Sequence, residues 1–383
     1  MLKRVFHSLS RALVLGLFGL MLHCASAQTQ APVVVTTNLT LRVMAANTTS
    51  SNASRYEAEG MRIFRGLKPD IVAVQEFKYA STNGLGINTP NAFREMVNSA
   101  FGTNFVYFRE TNSGYSIPNG IISRWPIVAS NSWDDIQVPD RGFAWARIDL
   151  PGTNDLYVVS VHLHNGGGPS SRSIEAANLR DLIQSNFPAN AWIVVAGDFN
   201  TDTRTETCMT TFKSYLSDSP IPNDGNLSGT PSPNTNEPRG KPFDYVLPSF
   251  NFATNQVPTV IGSRSHANGL VLDSEIYTPL ADVNPVQFGD SHVFNMQHMA
   301  VVKDFRINYT VTNFVTVPPP VLRLVSTNVF RWAGPSNLSY RVLSSGSLSN
   351  FTQAGTSTST STNYFFTNSA ALTNQRFFRV VWP

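Results

Sequence analysis

Four apolar runs in this chain each end on a residue equipped for chemistry. Leu41-Arg-Val-Met-Ala-Ala-Asn47 ends on an amide, Asp70-Ile-Val-Ala-Val-Gln-Glu76 on a carboxylate and Leu156-Tyr-Val-Val-Ser-Val-His162 on an imidazole. The fourth, Trp192-Ile-Val-Val-Ala-Gly-Asp198-Phe-Asn200, ends on a carboxylate and an amide two residues apart. Each has a plain explanation when taken singly: Asn caps a turn, Glu is solvated, His is structural, and Asp-x-Asn is an Asx-type turn. Together they offer hard oxygen ligands for a Mg²⁺-type ion, an amide donor for an anionic oxygen and a titrating acid or base.

The elements that must position these groups can be read around them. A run without charge, such as 191–196, reads as a strand buried on both faces, and in layered α/β proteins ligands gather at the carboxyl ends of such strands. Gly197 permits a sharp turn or a close approach to a ligand. Ser54 with Glu57 makes a capping box that opens a helix running to Leu67 and stopped by Pro69. Pro90 opens a second helix, with Phe93, Met96, Val97 and Phe101 on one face and Gly102 past its end. A third is expected over about 171–186, where Arg172 and Arg180 could meet phosphate but are assigned to a solvated face. Strands are expected around 105–108, 119–125 and 143–150, and the strand, helix, strand order is an α/β signature. The long Pro- and Gly-rich stretch 217–242 is expected to form a wall of the substrate site. Phe243-Asp244-Tyr245 opens another strand. Gln297-His298 precedes the apolar run 299–305, and His292 in Asp290-Ser-His is its rival.

Residues 1–27 carry Lys3, Arg4 and Arg11, an apolar run over 12–22 and then Ala25-Ser26-Ala27. These are the three parts of a secretory signal peptide, so export to the extracellular space or periplasm is expected, with cleavage after Ala27. The apolar run is too short for a membrane span, and no later one is longer, so no transmembrane segment is expected. Without the leader the chain has 25 basic and 25 acidic residues. From Pro318 onward there are five arginines and no acid, which leaves 28–317 at a net −5. A negative body suits a cation site and gives no basic footprint for nucleic acid. Cys208 is the only cysteine after the leader, which excludes an internal disulfide. Pro318-Pro319-Pro320 reads as a stiff linker, and the Ser-, Thr-, Asn- and aromatic-rich tail with short alternating runs predicts a small all-β module. The expected organisation is a signal peptide (1–27), a catalytic domain (28–310), a Pro-rich linker (311–320) and the β module (321–383). Adhesion to a cell surface or matrix, surface display and a secretion address are open to that module, a spacer is the plain alternative, and oligomeric state is left open.

The set Asn47, Val74-Gln75-Glu76, Asn119-Gly120-Ile-Ile-Ser-Arg124, Ser160-Val-His162, Gly197-Asp198-Phe-Asn200, Phe243-Asp244-Tyr245 and a late histidine resembles the endonuclease/exonuclease/phosphatase superfamily over about residues 38–308. Gly-Asp-x-Asn with an upstream Gln-Glu is the most specific part. The resemblance implies an α/β fold of two packed mixed β-sheets flanked by helices, a four-layer sandwich, that hydrolyses phosphodiesters or phosphomonoesters with a divalent metal. It implies that Glu76, helped by Asn47, holds Mg²⁺ (or Mn²⁺). Asp198 would orient or deprotonate the attacking water, and Asn200 would donate to the phosphate. His298, held by Asp244, would bind or protonate a phosphate oxygen, and His162 would act as general acid toward the leaving oxygen. Lys78 is a candidate for steering phosphate or a plain surface lysine, and Asn119 is a candidate substrate contact. One departure stands out: the family closes with Ser-Asp-His, whereas here Gln297 precedes His298. Gln297 substitutes through hydrogen bonds, metal affinity is weakened, or His292 behind Asp290 has taken the role; His298 is expected because the last strand continues from it. The function expected is an extracellular nuclease. A phospholipid or sphingomyelin phosphodiesterase or phosphatase of the same fold, and a catalytically weak adhesion protein, are the alternatives.

Overall fold

A computed structural model describes residues 29–317, 320–326, 328–347, 349–369 and 376–382. The signal-peptide reading on 1–27 and Pro318-Pro319 of the linker lie outside them. The chain divides into two compact units, one over Thr36–Thr310 and another that takes in Val311–Pro383.

The first unit runs β1 (Thr29–Ala46), α1 (Ala58–Leu67), β2 (Ile71–Val74), α2 (Pro90–Phe101), β3 (Val106–Arg109), β4 (Gly120–Ser123), β5 (Ile127–Asp134), β6 (Gly142–Ile148), β7 (Leu156–His162), α3 (Gly168–Asn186) and β8 (Trp192–Asp198). It continues with α4 (Thr207–Lys213), β9 (Asp244–Pro248), α5 (Phe250–Ala253), β10 (Gln256–Val257), β11 (Thr259–Ile261), β12 (Arg264–His266), β13 (Leu270–Leu272) and β14 (Ala300–Val317). One sheet has the order β10-β14-β1-β2-β4-β3, with β13 also on β14, and the other the order β5-β6-β7-β8-β9. Both are mixed: β1 and β2 are parallel, as are β7 and β8, while β4 and β9 run antiparallel to their neighbours.

The scarcity of polar residues in the strand runs follows from this layering. Alternate residues of one strand face opposite sides. Met44, Ala46, Val72 and Val74 pack on Phe64 and Leu67 of α1 and on Phe93 and Val97 of α2. Their neighbours Val43, Ala45, Ile71 and Ala73 meet Val158, Val194, Ala196 and Val246 of the other sheet. Beyond that, Val159, Val161 and Val195 pack on Leu179 and Ile183 of α3 and Phe212 of α4. Three apolar interfaces make four layers, the sandwich expected.

Some local readings change. Glu57 caps α1 without a side-chain bond, and its Oε1 accepts instead from Ser51 Oγ (3.1 Å) and Arg55 Nε (2.8 Å), so no capping box forms with Ser54. The Pro90 helix is as expected, with Thr89 Oγ1 accepting from Ala92 N. Strand β5 was not legible, because its largely solvated Ser- and Asn-bearing sequence lacks an apolar run. Strand β14 continues through 311–317, the stretch assigned to the start of the linker.

The inter-sheet face also buries a lysine. Lys303 shares by alternation the face of Val301 and Phe305; it is 1% exposed, and its Nζ has no partner among the described atoms. Burial drives its pKa from 10.5 to about 8 against the pull of Asp218. A lysine held below its unfolded pKa costs stability below pH 8, and that cost fades as pH rises from 8 to 10.5. Lys303→Met is therefore expected to stabilise the fold by about 1–3 kcal/mol at pH 7. Urea midpoints should show this gain, and it should shrink between pH 8 and 10.5; a destabilised variant would mean that the amine has a partner.

The second unit is all β, as expected of the tail. Strands β15 (Arg323–Ser326), β16 (Val329–Ala333) and β19 (Asn363–Thr367) form one sheet, and β18 (Thr352–Thr358), β17 (Ser339–Ser345) and β20 (Phe377–Val381) the other. Its core is aromatic: Trp332 stacks on Tyr364 with ring centroids 5.7 Å apart, and Tyr340 meets Tyr364 edge-on at 4.7 Å.

Candidate active site

The registers bring the strand ends together. His162 stands opposite Asp198, Asp198 opposite Asp244, and the last residues of β1 and β2, Ala46 and Val74, are paired, so that Asn47 and Glu76 leave the same end of the other sheet. Gln75 ties the two sheets here: its Nε2 donates to Ser160 Oγ (2.8 Å), which donates to Val74 O (2.8 Å). A Cβ on Gly197 would lie 2.5 Å from Gln75 Nε2 and 2.2 Å from Val161 O. This glycine, at φ +137°, thus admits the neighbouring sheet rather than a ligand.

Asp198 is the hub. Its Oδ1 accepts from the backbone N–H of Asn200 (2.8 Å), and its Oδ2 accepts from Asn47 Nδ2 (3.1 Å) and lies 3.3 Å from His162 Nε2 and 3.4 Å from His298 Nε2. The ring of His298 is held from behind by Asp244, whose Oδ2 is 3.0 Å from Nδ1, and from the side by Phe243. Asn47, His162, Asp198, Asn200, Asp244 and His298 are all buried. Two residues adopt the left-handed region: Asn200 (φ +50°), which tolerates it, and Glu76 (φ +47°), for which it costs on the order of 1–3 kcal/mol. Glu76 is held there while Thr49 Oγ1 donates to its Oε2 at 3.0 Å.

Burial raises the Asp198 carboxyl to about 6, with charged His298 pulling it down and Asp244 pushing it up. Burial opposes charge on His298, but Asp244 and Asp198 together outweigh it and lift that imidazole to about 10. His162 goes the other way: burial, then the charges of Arg141, His298 and Lys78, hold it well below 6.5. With its imidazole held neutral by burial and neighbouring positive charge, His162 faces the Asp198 carboxylate. As placed, it orients Asp198.

The other expected site residues divide. Asn119 is fully buried; its Nδ2 donates to Gly142 O (2.6 Å) and its backbone N–H to Glu110 Oε2 (2.7 Å), so it ties the sheets instead of standing open to substrate. Lys78 is half-buried and close enough to depress His162. His292 is elsewhere, between Glu237 Oε1 (3.1 Å) and Asp273 Oδ1 (3.0 Å), while Asp290 pairs with Arg62 (2.6 Å). Gln297 is exposed. Arg172 is not on a solvated face: it is 2% exposed and takes Glu206 with Nε and Nη2, both at 2.9 Å. Arg180 pairs with exposed Asp181.

Sequence reasoning missed Arg141. It is buried and donates to His162 O (2.6 Å) and Leu163 O (3.1 Å), while Asn200 Nδ2 also reaches Leu163 O (2.9 Å) and Glu175 accepts from His164 N (2.9 Å). The backbone carrying His162 is therefore clamped by side chains from separate elements. A lone arginine between a turn and a strand gave no signal of this.

The stretch 217–242 has no helix or strand. Its Thr235 and Glu237 bracket the last histidine, with Glu237 N donating to Gln297 O (2.9 Å), Met299 N to Thr235 O (2.6 Å) and Asp244 N to Thr235 Oγ1 (2.7 Å). A cavity of about 430 Å³ opens beside it, lined by Asn236, Phe243, Phe294 and Gln297 among others.

The donor set fits a divalent ion of the Mg²⁺ type. Asn47 Oδ1 and Asp244 Oδ1 are buried oxygens without a partner among the described atoms, which a cation or a substrate hydroxyl would relieve. The carboxylates of Asp198 and Asp244 lie within 4.8 Å of each other and of His298, and the negative charge of Glu76 acts on the same imidazole.

Among known proteins, residues 57–265 match the model of the Endonuclease/Exonuclease/phosphatase family. Sphingomyelinases of Mycobacterium tuberculosis and Mycobacterium bovis are 35% identical over 60 residues, 16% of this chain and 12% of theirs, so the chain spans about an eighth of the length of these relatives. Among solved structures, an endonuclease/exonuclease/phosphatase from Beutenbergia cavernae aligns with 15% identity and a TM-score of 0.44 over 90% of this chain and 92% of its own. The human Nocturnin catalytic domain, with bound sulfate, aligns with 17% identity and a TM-score of 0.43 over 74% and 98%. The match to the family model covers more than half of the 383 residues, and the chain belongs to the Endonuclease/Exonuclease/phosphatase family.

Proposed function

We propose that this chain is an exported, divalent-metal-dependent phosphodiester hydrolase whose first substrate class is nucleic acid. The observation that carries the hydrolase reading is the buried meeting of Asn47, Asp198, Asp244 and His298, within the electrostatic reach of Glu76. When bound by Glu76 and Asn47, Mg²⁺ or Mn²⁺ would draw charge from the phosphoryl oxygens. Asp198, raised to about 6, is ionised at neutral pH yet basic enough to take a proton from an attacking water. His162 and the backbone N–H of Asn200 fix its two oxygens. His298, charged through Asp244, neutralises a phosphoryl oxygen or donates a proton to it. Asn200 lends its remaining amide N–H to the same charge, and Lys78 steers the anion inward.

The acid-free tail favours a polyanion over a zwitterionic headgroup. A second reading, a sphingomyelin or phospholipid phosphodiesterase, is supported by the short match to sphingomyelinases and by Phe294, 69% exposed on the cavity lined by Phe243, His292 and Gln297. No helix among the described residues is long and apolar enough to cross a membrane. Export rests on the leader's sequence, and contact of the β module with a surface or matrix stays a proposal.

The test is hydrolysis of bis(p-nitrophenyl) phosphate, plasmid DNA and sphingomyelin vesicles side by side. Turnover is expected to vanish in excess chelator and to return with Mg²⁺ or Mn²⁺, with DNA cut faster than sphingomyelin. Full turnover in chelator would sink the metal assignment, and sphingomyelin cleaved in preference to DNA would establish the second reading.

A further inference from the structure

The β module has a surface that the hydrolase site does not explain. Residues 318–383 contain five arginines and no aspartate, glutamate or lysine. Two of those arginines and a phenylalanine form one cross-strand row in the sheet β15-β16-β19: Arg323 pairs with Arg331, and Arg331 with Phe365. Alternation turns Phe330, Trp332 and Tyr364 inward, where they are buried, and leaves Arg323, Arg331 and Phe365 exposed. A ring left 55% exposed on a sheet face is conspicuous in a module that buries Trp332, Tyr340 and Tyr364 in its core.

The row is also ordered. Arg331 Nη2 donates to Asn363 Oδ1 (2.7 Å), which pins the guanidinium 5.9 Å from the centre of the Phe365 ring. Strands in a sheet are about 4.8 Å apart, so the row from Arg323 to Phe365 spans about 10 Å. A cleft of about 610 Å³ runs beside it, lined by Arg323, Val325 and Arg331 among others. A flat aromatic face next to fixed positive charge, without a compensating acid, matches a ligand that alternates planar rings with anions.

We propose that this face of the β module is a platform for single-stranded nucleic acid, with Phe365 stacking a base and Arg323 and Arg331 taking the flanking phosphates. An acidic polysaccharide would meet the charge but leave the ring without a stacking partner. A bilayer is the competing occupant, since this edge also exposes Val321, Leu324 and Val325, but the centre of the row is an arginine, and vesicle binding is one arm of the test below. The platform would hold a polymer at the enzyme between cleavage events. This deepens the nucleic-acid reading of the substrate and rests on it for the choice of polyanion.

Binding and hydrolysis can be measured separately. The full chain is mixed in chelator with fluorescein-labelled dT20, and anisotropy is followed at several salt concentrations. Phe365→Ser is expected to weaken binding about tenfold, as loss of one stacked base does, without changing the salt slope. Arg323→Ser with Arg331→Ser is expected to weaken it at least tenfold and to flatten the slope of log K against log salt by about 1.4, since each phosphate contact contributes about 0.7. Phe365→Tyr, which keeps the ring, should bind as wild type. All variants should hydrolyse bis(p-nitrophenyl) phosphate at the wild-type rate, which shows that the hydrolase is intact. Unchanged dT20 binding in both Ser variants would overturn the platform. Binding of phosphatidylglycerol vesicles, and not of dT20, that is lost in those variants would assign the face to a lipid surface instead. If dT20 binds as described but DNA is not cleaved, the platform stands and the nuclease reading falls.

Discussion

Asp198→Asn is expected to lower kcat on bis(p-nitrophenyl) phosphate by about a thousandfold, roughly 4 kcal/mol of transition-state stabilisation. The reason is positional as well as chemical. Asp198 is the one group that His162, Asn47, His298 and the backbone N–H of Asn200 all approach within 3.4 Å, so its loss removes the proposed base and the charge around which the others are arranged. The fold should tolerate the change. A carboxyl whose folded pKa is raised from 3.8 to about 6 opposes folding once ionised, so a neutral isostere is expected to leave the melting temperature at neutral pH equal or higher. The same shift gives the pH dependence its sign. The wild-type rate should fall as pH drops below about 6 and Asp198 takes up a proton, and a cation bound nearby would move that limb to lower pH. Near-wild-type turnover in Asp198→Asn, or an acid limb that survives the substitution, would show that another group is the base.

The chain order of the site was legible because a strand buried on both faces must stop being apolar where it reaches solvent or a ligand. Asn47, Glu76, His162 and Asp198 mark such stops, and β2 and β8 end where their sequences change character. The layers were legible for the same reason: Met44 and Val43 are both apolar because a helix lies on one side and a sheet on the other. Features that depend on a distant partner left no such trace. Arg172 looks like any helix-surface arginine until Glu206, 34 residues on, is placed against it. Asn119 looks like a strand-end ligand until Gly142 O is found in front of its amide. The protonation state of His162 was equally hidden, since it is set by burial and by the charges of Arg141, His298 and Lys78, which come from other segments. Short-range patterns therefore located the site, while long-range pairings decided which of its residues are free to act.

His298→Ala and Asp244→Asn are each expected to lower kcat/KM by about 10²–10⁴-fold, and the double variant to be little worse than the worse single. The geometry makes the two a unit. Asp244 is fully buried, with one oxygen 3.0 Å from His298 Nδ1, and its negative charge is the largest influence favouring the imidazolium. Without that charge, burial dominates and His298 loses its proton at much lower pH. Asp244→Asn should therefore move the alkaline limb of the rate profile well below its wild-type position near pH 10, a shift that a purely structural role for Asp244 would not produce. His292 provides the control. It stands between Glu237 and Asp273, and Asp273 retains Arg239 (3.3 Å) when the ring is removed, so His292→Ala should stay within about tenfold of wild type, or roughly 1.4 kcal/mol. The missing carboxylate at position 297 bears on this ranking. Exposed Gln297 adds no charge near His298, which leaves Asp244 and Asp198 to hold it in the charged form. An essential His292 beside a dispensable His298 would instead place the terminal motif at Asp290-Ser291-His292, against the pairing of Asp290 with Arg62.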